Sequence, residues 1–97
     1  MEMTQQYLIG ELSLLLAQLQ AVATNRSCAH DVACLRHEAE TGPLARLTPI
    51  AVRALELTER QCWDSLSEGD TAAFASQAAV SAQLHEFGVS AGLLGEA

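Results

Sequence analysis

Leu8, Leu12, Leu15, Leu19 and Val22 recur at alternating spacings of four and three. That rhythm commits the segment to helix. At about 3.6 residues per turn it draws one continuous apolar stripe, whereas the period-two geometry of a strand would scatter the same residues over both faces. Ile9, Leu14, Leu16, Ala17, Ala21 and Ala23 add apolar surface on the flanks. A helix apolar over more than one stripe is expected to be covered on more than one side. A chain of 97 residues supports a single modest core. The second cover is therefore expected to come from a partner chain, with Ile9, Leu14 and Leu16 in the contact.

Three further segments carry helical patterns. Helix one is expected to span about 4–23 with Thr4 as its cap, and helix two about 28–40, with Ser27 as cap and a seam of Cys28, Val32, Leu35 and Ala39. Gly42-Pro43 closes the second helix, and Leu44 to Leu47 reads as a short turn. Thr48-Pro49 places a cap before a proline that suits a first helical position, so helix three is expected over 49–67. Its apolar side is Ile50, Ala51, Ala54, Leu55, Leu57, Cys62 and Leu66, and Glu56 with Arg60 makes a favourable pair on the wet side. Glu68-Gly69-Asp70 is a tight connection, glycine closing one helix and aspartate capping the next. Helix four is expected over 71–87, its bulk supplied by Phe74, Val80, Leu84 and Phe87 among alanines. Gly88, Gly92 and Gly95 leave the last ten residues weakly ordered. Neither an alternating stretch nor a hairpin dipeptide argues for strands. The expectation is all-α: one domain over 1–97, a small antiparallel four-helix bundle with short connections.

Charge narrows the partners. The net charge is -7, and the five cations are arginines, Arg26, Arg36, Arg46, Arg53 and Arg60, spread without a patch. Nucleic-acid binding requires clustered cations, and an anionic membrane surface repels this chain, so neither is expected as a partner. The first segment is interrupted by Glu11, Gln18 and Gln20 and does not read as a membrane span. Nothing before it reads as an export signal, so three cysteines point to free thiols in a cytoplasmic protein.

The most specific local pattern is His30, Cys34 and His37, which fall within roughly 60° of one another on a helix. Imidazole and thiolate are good zinc ligands, and a tetrahedral site needs one more. The spacing is similar to the His-x3-Cys-x2-Cys signature of zinc-binding anti-sigma factors, which implies a zinc site. Here the last position is histidine, and helix one supplies neither cysteine nor histidine. Cys34 with either histidine is also a candidate thiolate–imidazole pair, although nothing marks an oxyanion hole, and enzymatic activity is not expected. Asp64-Ser65-Leu66 resembles the prosthetic-group site of acyl carrier proteins, a likeness that implies a modified Ser65, but the triplet closes a helix where that family opens one. The Gly69-Asp70 connection with Phe87-Gly88-Val89-Ser90 resembles the C-terminal helical end of small-molecule kinases of the mevalonate kinase type. It implies a helical hairpin and no activity, since no phosphate loop accompanies it.

Trp63 either folds under the Leu44–Leu47 turn or serves as an interface anchor. Together these readings lead to a non-enzymatic interaction module, an adaptor or regulator that forms a homodimer through helix one. The alternative is a zinc- or redox-responsive module built on His30, Cys34 and His37. No cofactor other than zinc is implied.

Overall fold

A computed structural model describes residues 5–94. Four helices follow in order: α1 (Gln5–Val22), α2 (Arg26–Thr41), α3 (Leu47–Ser67) and α4 (Thr71–Ser90), with a 3-10 turn at Leu44–Arg46. They form an antiparallel four-helix bundle in which each helix packs on the next and α4 returns to α1. The hairpins α1–α2 and α3–α4 share the most extensive interfaces, and the whole measures 41 × 26 × 17 Å.

The helix ends show how local chemistry chose the boundaries. Asn25, not Ser27, caps α2: its side chain accepts from the Cys28 N–H at 2.7 Å, and the helix begins at Arg26. An asparagine one turn before the first buried residue satisfies an otherwise orphaned donor, which leaves Ser27 inside the first turn. α3 starts at Leu47, two residues before the expected Pro49, because the 3-10 turn feeds straight into it and Leu47 is buried. Proline is tolerated there, since the N–H groups of a helix's first turn have no intrahelical partner. At the other end of α3 the Asp70 N–H bonds the Ser65 carbonyl and the Gly69 N–H bonds the Leu66 carbonyl, with Gly69 at φ +74°. That is a Schellman closure. Asp70 then turns to accept from Ala73 N–H at 3.0 Å and opens α4.

α4 runs three residues beyond the expected 87 and closes the same way. The Leu93 N–H reaches the Gly88 carbonyl and the Gly92 N–H that of Val89, Gly92 lying at φ +74°. Gly88 is not a helix breaker here but a docking place: a Cβ on it would run into the Leu94 side chain. Leu93 is buried and Leu94 packs on the core, so this part of the expected weak tail is folded. Thr4, the expected first cap, and residues 95–97 lie outside the described residues.

The core combines Leu12, Leu15, Leu16 and Leu19 of α1 with Cys28, Val32 and Ala39 of α2, Ile50, Ala54 and Leu57 of α3, and Val80 and Leu84 of α4. Leu16 corrects one expectation. It is 0% exposed within its own chain and has no surface to offer a partner. Ile9 is partly buried against the core, so of the three expected contact residues only Leu14 is exposed. Helix one is thus covered chiefly by its own bundle, because ring closure brings both α2 and α4 against it.

The lower half of α3 reverses the expected polarity. Thr58, Gln61 and Ser65 are buried, while Leu66 is 49% exposed and Leu55 and Cys62 are half-buried. The buried polar groups are held by specific bonds: Ser65 Oγ donates to Gln77 Oε1 at 2.7 Å, Gln77 Nε2 donates to the Val22 carbonyl, and Thr58 Oγ1 donates to the Ala54 carbonyl. Gln61 Oε1 accepts from both the backbone N–H and the hydroxyl of Thr24, which ties the α1–α2 connection to α3. Glu56 pairs with Arg53 at 3.2 Å, one turn back, in place of the expected Arg60.

Candidate functional site

The apolar residues that α3 does not bury form a second stripe. Val52, Leu55, Cys62 and Leu66 repeat the three-and-four rhythm along the flank of α3 beside its core-facing stripe, with Leu55 also touching the core, and Glu59 interrupts the rhythm where the seventh step would fall. α4 answers with Phe74, Ala78, Ser81, Ala82, His85 and Val89. Because α3 and α4 are joined by the tight Gly69 turn and packed along their length, the two stripes become the walls of one groove. It consists of two adjoining troughs of about 550 Å³ and 280 Å³ that share Leu55, Glu59 and His85. The small side chains on the α4 wall open the larger one.

Trp63 stands beside this groove with 68% of its surface exposed. It does not fold under the Leu44–Leu47 turn. Sixteen residues separate it from Leu47, and at 1.5 Å per residue that is about 24 Å along the helix. Val52, Leu66 and Val89 are also 39–49% exposed. Large apolar side chains scattered singly are ordinary; here they line one groove. Charge is sparse inside: Glu59 on one wall, His85 on the other, and Glu56 at the rim. Burial, followed by Glu59, pushes the Cys62 thiol above its ordinary range, so this groove cysteine is held as the neutral thiol.

The other sequence candidates lie elsewhere. His30, Cys34 and His37 are all exposed on α2, and Cys34 Sγ stands 3.7 Å from His30 Nε2. Among the described residues no group of three or more His, Cys, Asp and Glu side chains is placed to hold a metal, so His37 is not brought to the pair. Cys28 is buried against the core, and desolvation, reinforced by Asp31 and opposed by Arg60 and Arg53, pushes its thiol up. All three cysteines are free. Ser65 is 1% exposed and donates to Gln77, which places its hydroxyl out of reach of a modifying enzyme. No helix among the described residues is long and apolar enough to cross a membrane.

Sequence spacing alone does not reveal the groove, though its signal is present: α3 carries two interleaved apolar rhythms, and a single apolar side holding Leu55, Cys62 and Leu66 together with Ile50, Ala54 and Leu57 hides the second. Compared with family models, curated proteins and solved structures, the chain matches none.

Proposed function

We propose that this chain is a protein-interaction module, an adaptor or regulator, whose α3–α4 groove receives an amphipathic helix of a partner protein with arginine or lysine beside its apolar stripe. The carrying observation is the mostly apolar groove from Val52 to Leu66, two adjoining troughs broken by Glu59 and His85, with Trp63 at 68% exposure on its edge. Fourteen residues of α3 make about 21 Å of wall, some four turns of a docked helix. A trough between two helices, floored by alanine and serine, matches the helix-in-groove mode, in which a few large side chains anchor the ligand. An exposed tryptophan at its edge has the character of an anchor residue.

Charge argues for the kind of partner. Glu56 and Glu59 line the groove and the chain carries -7 overall, so a cationic helix is drawn to it. A second copy would bring the same acids against them and is disfavoured as the occupant. α1 is a poorer docking face, since Tyr7 and Leu14 are its exposed large apolar side chains, and Gly10 and Glu11 between them and Gln18 one turn beyond are not apolar.

Trp63 is the single tryptophan, so its emission reports on the groove directly. The test uses a synthetic leucine-striped peptide of about 15 residues with flanking arginines, and a twin with glutamates in their place. The arginine peptide should shift the emission to the blue and saturate at one peptide per chain. The glutamate peptide should not, and Leu66→Ser should weaken binding about tenfold, the worth of one buried apolar side chain. Equal response to both peptides, no response to either, or a stable dimer whose Trp63 is already shielded would overturn the proposal.

A further inference from the structure

On α2, diagonally across the bundle from α4, His30 and Cys34 present their ring nitrogen and sulfur to solvent one turn apart. The separation of 3.7 Å between Sγ and Nε2 is that of a thiol–imidazole hydrogen bond, and it also suits a shared metal ion. Zinc holds thiolate sulfur at about 2.3 Å and imidazole nitrogen at about 2.0–2.1 Å. A tetrahedral angle between those bonds sets sulfur and nitrogen about 3.6 Å apart. The two side chains, one turn apart on α2, stand at the spacing of adjacent corners of a zinc tetrahedron. A structural zinc site takes four protein ligands, and the described residues of one chain gather only these two. Two identical exposed pairs related by a two-fold axis supply four, in the Cys2His2 set that zinc favours.

We infer that His30 and Cys34 are a half-site for zinc, completed by the same pair from a second copy of this chain. Each Cys34 thiol releases its proton to solvent on binding, and each His30 binds through the neutral Nε2. The two thiolates then cancel the charge of the ion, and the site closes without water. The chain's net charge of -7 attracts the dication; because two protons leave as the ion arrives, the net charge does not change, and the four metal–ligand bonds hold the two acidic chains together. The α3–α4 groove lies on another face, so zinc pairing and groove occupancy are independent.

Native mass spectrometry of the untagged full chain titrated with zinc reads the stoichiometry, and cobalt(II) in place of zinc reads the ligands. The expected species is two chains with one zinc. The cobalt form should show visible d–d bands of tetrahedral geometry and a near-ultraviolet thiolate-to-cobalt band. Cys34→Ser and His30→Ala should each abolish the dimer and lower metal affinity by more than the roughly 10–100-fold that loss of a supporting second-shell group costs. Both sites are exposed, so far-ultraviolet dichroism should show the fold unchanged. His37→Ala should leave stoichiometry and spectrum intact. One metal on a single chain, loss of binding in His37→Ala, or binding retained in Cys34→Ser would overturn the inference.

Discussion

Gln61 and Gln77 are both 0% exposed, one on α3 and one on α4, where the end of α1 meets the second hairpin. Their side-chain amides differ in what they satisfy. Gln77 spends both ends: its oxygen accepts from Ser65 and its nitrogen donates to the Val22 carbonyl. Gln61 uses only its oxygen, on Thr24, and its Nε2 is enclosed without a partner. Leucine at position 77 would keep the volume but strand a hydroxyl and a carbonyl, at about 2–6 kcal/mol for the two. Leucine at position 61 removes a donor whose enclosure already costs about 1–3 kcal/mol, and releases Thr24, which is exposed and can turn to water. Gln61→Leu is expected within about 1 kcal/mol of the parent, of either sign, and Gln77→Leu well below it. Urea midpoints at unchanged slope decide it. Similar losses in both variants would mean that the enclosed nitrogen is satisfied after all, by a bound water for instance.

Among the elements, α1 and the α3–α4 connection place glycine in opposite roles. Gly10 lies inside α1, and a Cβ there would meet nothing within 4 Å. Gly69 also has open space around it, but its φ of +74° is a conformation that a side chain resists. Gly10→Ala should therefore stabilise by about 0.5–1 kcal/mol through helix propensity, and Gly69→Ala should destabilise by about 1–2 kcal/mol through backbone strain alone. Thermal melts of the two variants should move in opposite directions. The same elements show what could be read beforehand. The number of helices, the Gly69-Asp70 connection and the seams of α1 and α2 were legible because each follows from local spacing or turn chemistry. The starts of α2 and α3 were not, since Asn25 and Ser27 are both acceptable caps and the 3-10 turn before Leu47 depends on that leucine finding the core. Nor was the inverted lower half of α3. Composition alone places Leu66 inward and Ser65 outward, and only the partner Gln77, on a different helix, reverses them. The candidate site inherits that difficulty, because the groove exists only where two helices leave their second stripes side by side.

For the whole molecule, acidity and the apolar groove oppose one another. At neutral pH each chain carries -7, and repulsion between chains resists groove-to-groove contact that would bury Trp63, Leu66 and Val52. The charge vanishes near pH 4.7, and the apolar term, worth about 1.5–3 kcal/mol for each large side chain covered, is then unopposed. In metal-free buffer the chain is expected to be monomeric at neutral pH and low salt, and to self-associate as pH falls toward 4.7, with Trp63 emission shifting to the blue as it does. Leu66→Ser and Trp63→Ser should each reduce that association, whereas Leu14→Ser, on the opposite hairpin, should not. Light scattering across the pH range, with dichroism to confirm that the helices persist, separates the two faces. If Leu14→Ser were the variant that kept the chain monomeric, the exposed stripe of α1 would be the adhesive surface and the groove would not.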